Sequence, residues 1–463
     1  FMIVKSFIFS ILCLTALKIY AIFSTTFGLF GDEAQYWLWS RDLDFGYLSK
    51  PPLIAWVVYL YTILFGDSFE SLKLFPIIFY FFSSIAIYNF CRKLDLQKPI
   101  SLICALSFLI MPVVSVSSFL ISTDIILLLF WVLSMSALIE IRQEPSVKNF
   151  LIFGIMLGLS FLAKYAAIYF FISFVVLLFF DSRLRDVLYA NKSKFIIFLI
   201  TVIIVVLPNI IWNASNGWLT FFHTSDNANL NNIDISFSRG FIFLILQILM
   251  IGPILFIGSA LNIKKIIYDS KNIFLLSYSI PIVIIVFIES VMVRANANWA
   301  AVSLICLLIF FIRSLSYLKN FFLYLNFVVN FIFGVVFFLL IAISSEYKIF
   351  DRINGIQEFS DEFKKDIEEK SNIVISDRLL YSNLAYQYKN EKFKLLMPLS
   401  HNQKITKHFQ IKSSLNKEMH DSFLFIGDPS EISYLENIPN VRLLKESHPK
   451  FTSTPIKIYE VTF

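Results

Sequence analysis

Two adjacent acids, Asp32 and Glu33, and a lysine followed by two prolines, Lys50-Pro51-Pro52, stand in one polar stretch of an otherwise apolar chain. A carboxylate in reach of an attacking hydroxyl can take its proton, and a fixed cation can stabilise charge developing on a leaving phosphate. The prolines set an extended approach and then permit a helix start, which holds Lys50 in place at the membrane boundary. Bland roles exist for both residues. Asp32 as N-cap with Gln35 three residues on resembles a capping box, and Lys50 suits the charged flank of an amphipathic helix. Capping and catalysis are compatible, and the cluster Tyr36, Trp37 and Trp39 has the ring chemistry that favours the headgroup level.

Further polar residues punctuate the apolar runs. Asp124, after "SVSSFLISTD", is either a helix N-cap or a second carboxylate facing Asp32 across a cavity. In the second reading the pair Asp32 and Asp124 positions an acceptor or shares a divalent cation, Mg or Mn, through oxygen ligands. Lys164 and Tyr165 interrupt "FLAKYAAIYFF", where a lone lysine is costly unless the chain turns in a polar cavity, so a cavity-facing turn is expected. His223, on a long outer loop with Asp226 nearby, is a candidate ligand or acid/base. Asn298 and Trp299 offer an amide and a stacking ring of the kind sugars use, and Trp299 equally suits an interfacial anchor.

The elements that position these residues are membrane helices. The 463 residues are 57% hydrophobic and 16% charged, against about 45–50% and 25% in soluble domains. The expectation is a mainly α polytopic membrane protein of about eleven transmembrane helices, at Ser6–Phe30, Leu74–Cys91, Ile100–Leu120, Ile125–Ile141, Phe150–Leu162, Ala166–Phe180, Phe195–Trp212, Phe241–Leu261, Ile273–Ile288, Trp299–Ile312 and Phe321–Ile343. Leu53–Phe65 is apolar but short. With it lying at the surface, Arg92, Lys93, Arg142, Arg183, Lys194, Lys264, Lys265 and Lys319 all fall on the cytoplasmic side. A crossing there would invert that bias, so it is placed at the interface. The candidate residues and the tail then share the non-cytoplasmic side.

Composition divides the chain into a membrane domain, 1–343, and a soluble tail domain, 344–463, of mixed α/β character. In the tail "IQEFSDEFKKDIEEK" reads as a helix and "NIVIS", "FLFIG" and "IKIYEV" as strands. The apolar start is expected to be a retained anchor rather than a cleaved signal. The four cysteines, Cys13, Cys91, Cys104 and Cys306, show no ligand spacing and are read as small core residues. The net charge of +6 is scattered through loops, which excludes the basic track of a nucleic-acid binder.

Asp32-Glu33 after a first transmembrane helix, "SKPPLIAW" with a following "LFG", Asp124 after a short polar step, "LAKY" and "ANANWAA" together resemble the bacterial branch of the C-type (GT-C) glycosyltransferases, in the ArnT-like and protein O-mannosyltransferase-like group, glycosyltransferase family 39. The resemblance covers essentially the whole chain and is strongest from Gly31 to Trp56. It implies the GT-C fold with interfacial helices in the first periplasmic loop and a small periplasmic C-terminal α/β domain. It also implies a polyprenyl-phosphate sugar donor, inverting transfer to a lipid (lipid A type) or protein acceptor, and an active site on the periplasmic face of the inner membrane. By motif position Asp32 matches the essential first-loop aspartate, Lys50 the phosphate-binding lysine and Asp124 the second acidic site. Gln35-Tyr36 and Ser49 depart from the pattern of close lipid A transferases, which leaves sugar, acceptor and metal open. The rival readings are a polysaccharide polymerase or O-antigen ligase, and a flippase or transporter for lipid-linked sugars. Transporters tend to show internal repeats, and none is visible here.

Overall fold

A computed structural model describes residues 2–228, 233–262, 269–316, 321–367, 372–400, 405–415, 421–435 and 440–463. Lys264, Lys265, Lys319, residues 229–232 of the outer stretch and the end of the tail helix at 368–370 lie outside them. Contacts divide the chain into two compact units. One comprises Phe1–Tyr20, Lys50–Ile54 and Lys73–Leu339; the other joins residues 340–463 to Ala21–Ser49 and Ala55–Leu72.

Among the described residues seven helices are long and apolar enough to cross a membrane, or up to nine if each of two bent pairs is one span. The protein is therefore multi-pass; among the described residues these criteria give seven to nine spans where about eleven are expected. The expected span Ile100–Leu120 is interrupted: Lys98–Leu109 ends at Ile110, and Pro112, which cannot supply an interior amide, starts the short helix Pro112–Ser117. Phe241–Leu261 breaks at Gly252-Pro253 with a bend of 100°, where Gly252 has φ +125. Leu53–Phe65 is a helix of 13 residues, about 20 Å at 1.5 Å per residue and shorter than the ~30 Å hydrocarbon layer. Cys13 is exposed on its helix rather than in the core, and Cys91, Cys104 and Cys306 are buried.

In the first unit Val147–Ala163 packs against Lys192–Ser215 through Gly154 and Gly158. A Cβ on Gly154 would lie 2.6 Å from Thr201 Cβ, and one on Gly158 would lie 2.7 Å from Val205 Cβ. Small residues four apart let two apolar helices meet backbone to backbone, where dispersion rather than water exclusion drives association.

In the second unit five strands form a sheet in the order β2-β1-β3-β5-β4. They are β1 (Asn372–Ile375), β2 (Lys394–Leu396), β3 (Phe423–Ile426), β4 (Asn440–Ser447) and β5 (Ile456–Thr462). β1 is parallel to β2 and β3, whereas β5 runs antiparallel to β3 and β4. The three expected strands are β1, β3 and β5. β2 is short and β4 is a largely exposed edge strand, so neither carries an alternating apolar pattern. Val374, Phe423, Phe425 and Val461 form the centre of its core.

Candidate active site

Asp124 is set in place by the chain just before it. Pro112–Ser117 leaves carbonyls without helical partners, and two buried lysines meet this corner: Lys73 Nζ donates to Phe119 O at 3.1 Å and Lys18 Nζ to Ser118 Oγ at 2.9 Å. Ser122 then occupies the N-cap of Thr123–Gln143, and Asp124 falls in the first turn rather than at the cap. There its carboxylate is engaged at both oxygens. Lys164 Nζ lies 2.7 Å from Oδ1 and Asn298 Nδ2 donates to Oδ2 at 2.9 Å.

The expected turn at Lys164 is present. Val147–Ala163 ends there, Lys164 is extended at φ −162 and ψ 135, and Tyr165–Ala167 forms a single 3₁₀ turn. The hydroxyl of Tyr165 donates to Asn209 Oδ1 at 2.7 Å and accepts from Asn213 Nδ2 at 3.2 Å, while its ring stacks on Phe221 at 5.1 Å. Asn209 and Asn213 were not singled out from sequence. Their signal was visible: two amides four residues apart occupy one face of an otherwise apolar helix.

Asn298 and Trp299 lie in the 3₁₀ turn Ala297–Ala300, with Asn298 exposed and Trp299 half-buried. Gln247 fixes this turn by donating to Ala297 O at 3.0 Å. His223 lies half-buried on the helix Leu219–Ala228, not on an irregular loop. The local run "LTFFHTSDNA" has enough apolar and helix-compatible residues to form that turn structure. Lys50 is half-buried immediately before Pro51 and the start of Leu53–Phe65.

The acid pair belongs to the second unit, and its two members have different surroundings. Helix Gly31–Arg41 begins after Phe30, so the box expected between Asp32 and Gln35 is displaced by two residues. Phe30 has no side-chain acceptor, and only the carboxylate half of the box is made: Phe30 N–H donates to Glu33 Oε2 at 2.8 Å. Glu33 is fully buried and serves the helix end, while its candidate role as a substrate contact rests on its place beside Asp32 in the sequence.

Asp32 is 39% exposed and pairs with Arg378, whose Nη1 lies 3.3 Å from Oδ1. The same Nη1 donates to Gln35 Oε1 at 2.5 Å. Close approach makes this possible: a Cβ on Gly31 would lie 2.6 Å from Leu379 Cβ, so only glycine lets Gly31–Arg41 lie against the helix Arg378–Gln387. Asp377 caps that second helix, accepting from Leu379 N and Leu380 N. The cap could be read from sequence, but Arg378 lies 346 residues from Asp32 and no local pattern connects them.

The loop between Arg41 and Lys50 is folded by rings. Tyr47 stacks on Trp39 at 4.4 Å, and its hydroxyl donates to Trp39 O at 3.1 Å. His408 lies against both rings, and its Nδ1 accepts from Leu48 N–H at 3.3 Å. Burial pushes the His408 imidazole down to about 4, with Lys412 adding to the effect and Asp42 and Asp44 opposing it.

Among the described residues no three His, Cys, Asp or Glu side chains group together. The carboxylate of Asp124 is already met by an ammonium and an amide, and a metal would have to displace both.

Residues 49–212 match the family described as dolichyl-phosphate-mannose-protein mannosyltransferase. Over 279 residues the chain is 32% identical to the lipid A galacturonosyltransferase RgtD of Rhizobium johnstonii, covering 58% of this chain and 57% of that protein. It is 29% identical over 130 residues to the undecaprenyl phosphate-alpha-4-amino-4-deoxy-L-arabinose arabinosyl transferase of Wigglesworthia glossinidia brevipalpis, covering 26% of this chain and 22% of that one. The match thus spans little more than half of the first curated relative and less than a quarter of the second. The crystal structure of ArnT from Cupriavidus metallidurans bound to undecaprenyl phosphate superimposes with a TM-score of 0.67 at 12% identity, covering 98% of this chain and 97% of that one. The chain has the fold of the ArnT structure, and its residues 49–212 match the model of the dolichyl-phosphate-mannose-protein mannosyltransferase family.

Proposed function

We propose that this protein is a membrane glycosyltransferase that moves a sugar from a polyprenyl-phosphate donor to a lipid acceptor of the lipid A type, with inversion, at the periplasmic face of the inner membrane. The observation that carries the reading is the 32% identity over 279 residues with a lipid A galacturonosyltransferase. That relative is matched over far more of its length than the arabinosyl transferase, which favours a hexuronosyl over a pentosyl donor.

In the step itself the acceptor oxygen bonds to the anomeric carbon as the bond from that carbon to the donor phosphate oxygen breaks. Asp32 takes the acceptor proton, and the polyprenyl phosphate leaves with the electron pair. Lys50 meets the charge that grows on it. Asp124, fixed by Lys164 and Asn298, orients the sugar or acceptor by hydrogen bonds, with Tyr165 and Trp299 as further contacts and His223 at the margin. A metal is not part of the reading, because Asp124 is already engaged by Lys164 and Asn298.

Mass spectrometry of lipid A and surface glycans from cells with and without the protein tests it. A sugar-sized difference on lipid A that requires the polyprenyl-phosphate donor is expected. Identical glycans in both, with the protein present in the membrane, would overturn the reading.

A further inference from the structure

Arg378 offers more donors than its two partners use. Both of its bonds, to Asp32 Oδ1 and to Gln35 Oε1, leave from the single atom Nη1. Its Nε and Nη2 donate to no other described residue, and the side chain is 39% exposed. An arginine held only to clasp two helices would be expected to present two nitrogens to its carboxylate, since the paired fork is the stronger arrangement. Here the carboxylate contact is single and long at 3.3 Å. Gln35, 2% exposed, supplies the firmer bond and sets the direction of the guanidinium plane.

The scaffold around this group is rigid on both sides. The Gly31 to Leu379 contact leaves no room for a side chain, and the Asp377 cap fixes the first turn on which Arg378 stands. A half-open guanidinium, oriented by a buried amide beside an exposed carboxylate, has the chemistry of an oxyanion receptor.

We propose that Arg378 binds an anionic oxygen group of the substrate through Nε and Nη2, next to Asp32, and sets the enzyme's preference for charged over neutral substrates. The inference rests on the glycosyltransferase reading above. The oxyanion has two possible sources, the carboxylate of a uronic sugar on the donor and a phosphate on the acceptor lipid. Either uses the same fork.

The test compares the full-length protein in detergent with R378Q and R378K. Turnover is measured with galacturonosyl and galactosyl polyprenyl phosphates, and with phosphorylated and dephosphorylated lipid A. In parallel, equilibrium binding of free galacturonate, galactose and inorganic phosphate is measured without turnover. Loss of a charge-assisted pair corresponds to about a ten- to hundredfold change. The charged-to-neutral ratio of kcat/KM is expected to fall by that factor in R378Q and by less in R378K, which keeps the charge and loses the fork. A fall confined to the donor ratio assigns the sugar carboxylate, and one confined to the acceptor ratio assigns the phosphate. If both ratios and anion binding are unchanged in the folded variants, the proposal is overturned and Arg378 is only a clasp. Should the wild type transfer no sugar yet bind an anion that R378Q loses, the functional reading fails and the oxyanion site stands.

Discussion

Lys164 and Asp124 are 40 residues apart in sequence and 2.7 Å apart in space, which makes the break between two apolar helices an ion-pair partner of a helix start. Each side chain is about 15% exposed, so each charge depends on the other. Removing one partner leaves a poorly hydrated charge behind, a larger penalty than removing both. Lys164→Met and Asp124→Asn should therefore be strongly non-additive, with a coupling of about 2 kcal/mol in thermal unfolding. Additive losses would show the pair to be incidental.

Asp32→Asn should reduce sugar transfer by about 10²- to 10⁴-fold while the protein still accumulates. Glu33→Ala should do the opposite, weakening the helix end by about 1 kcal/mol with turnover per folded molecule largely kept. Single-turnover assays on equal amounts of folded protein separate the two. Equal catalytic losses in both variants would contradict the division of roles drawn from their burial and partners.

The seat of Lys164 depends on two glycines on the helix before it. Gly154→Ala and Gly158→Ala force a methyl into contacts of 2.6 and 2.7 Å with Thr201 and Val205, at a cost of about 1–3 kcal/mol. Thr201→Gly should recover part of the loss in the Gly154 variant, because the Thr201 side chain is removed while the Phe198 carbonyl at 3.0 Å remains. Melting curves in detergent that show no loss, or no recovery, would refute the close packing.

His408 makes the second unit sensitive to acid. Its imidazole, pushed down to about 4 by burial, is neutral in the folded chain and accepts the Leu48 amide at 3.3 Å. The unfolded form has the ordinary value near 6.5 and binds the proton first. The contribution is thus fully present above about pH 6.5 and is lost as pH falls toward 4, by on the order of 3 kcal/mol. Protection of the Leu48 amide, corrected for intrinsic exchange, should fall through that window and become flat in His408→Gln. Constant protection from pH 7 to pH 4 would count against it.

Chelation supplies a further check. With Asp124 satisfied by Lys164 and Asn298, turnover should be unchanged after treatment with EDTA. A loss restored by Mg²⁺ or Mn²⁺ would require a cation at the carboxylates after all.

Much of this molecule was readable residue by residue. Hydropathy alone makes the protein multi-pass, because a run of apolar side chains must leave water wherever it lies. The local punctuation of Lys50-Pro51-Pro52, the turn at Lys164 and three of the five strands of the tail follow from short-range patterns. Short-range rules also misplaced some features. They joined Ile100–Leu120 across the Pro112 break, put the helix cap two residues late at Asp32, and took the His223 segment for a loop. Nothing local could disclose that Asp124 meets Lys164 and Asn298, that Glu33 is a buried cap while its neighbour Asp32 stays exposed, or that Arg378 reaches Asp32 from 346 residues away. These are distances between chain segments, fixed by how glycines, prolines and buried lysines allow helices to meet, and periodicity within a segment carries no information about them.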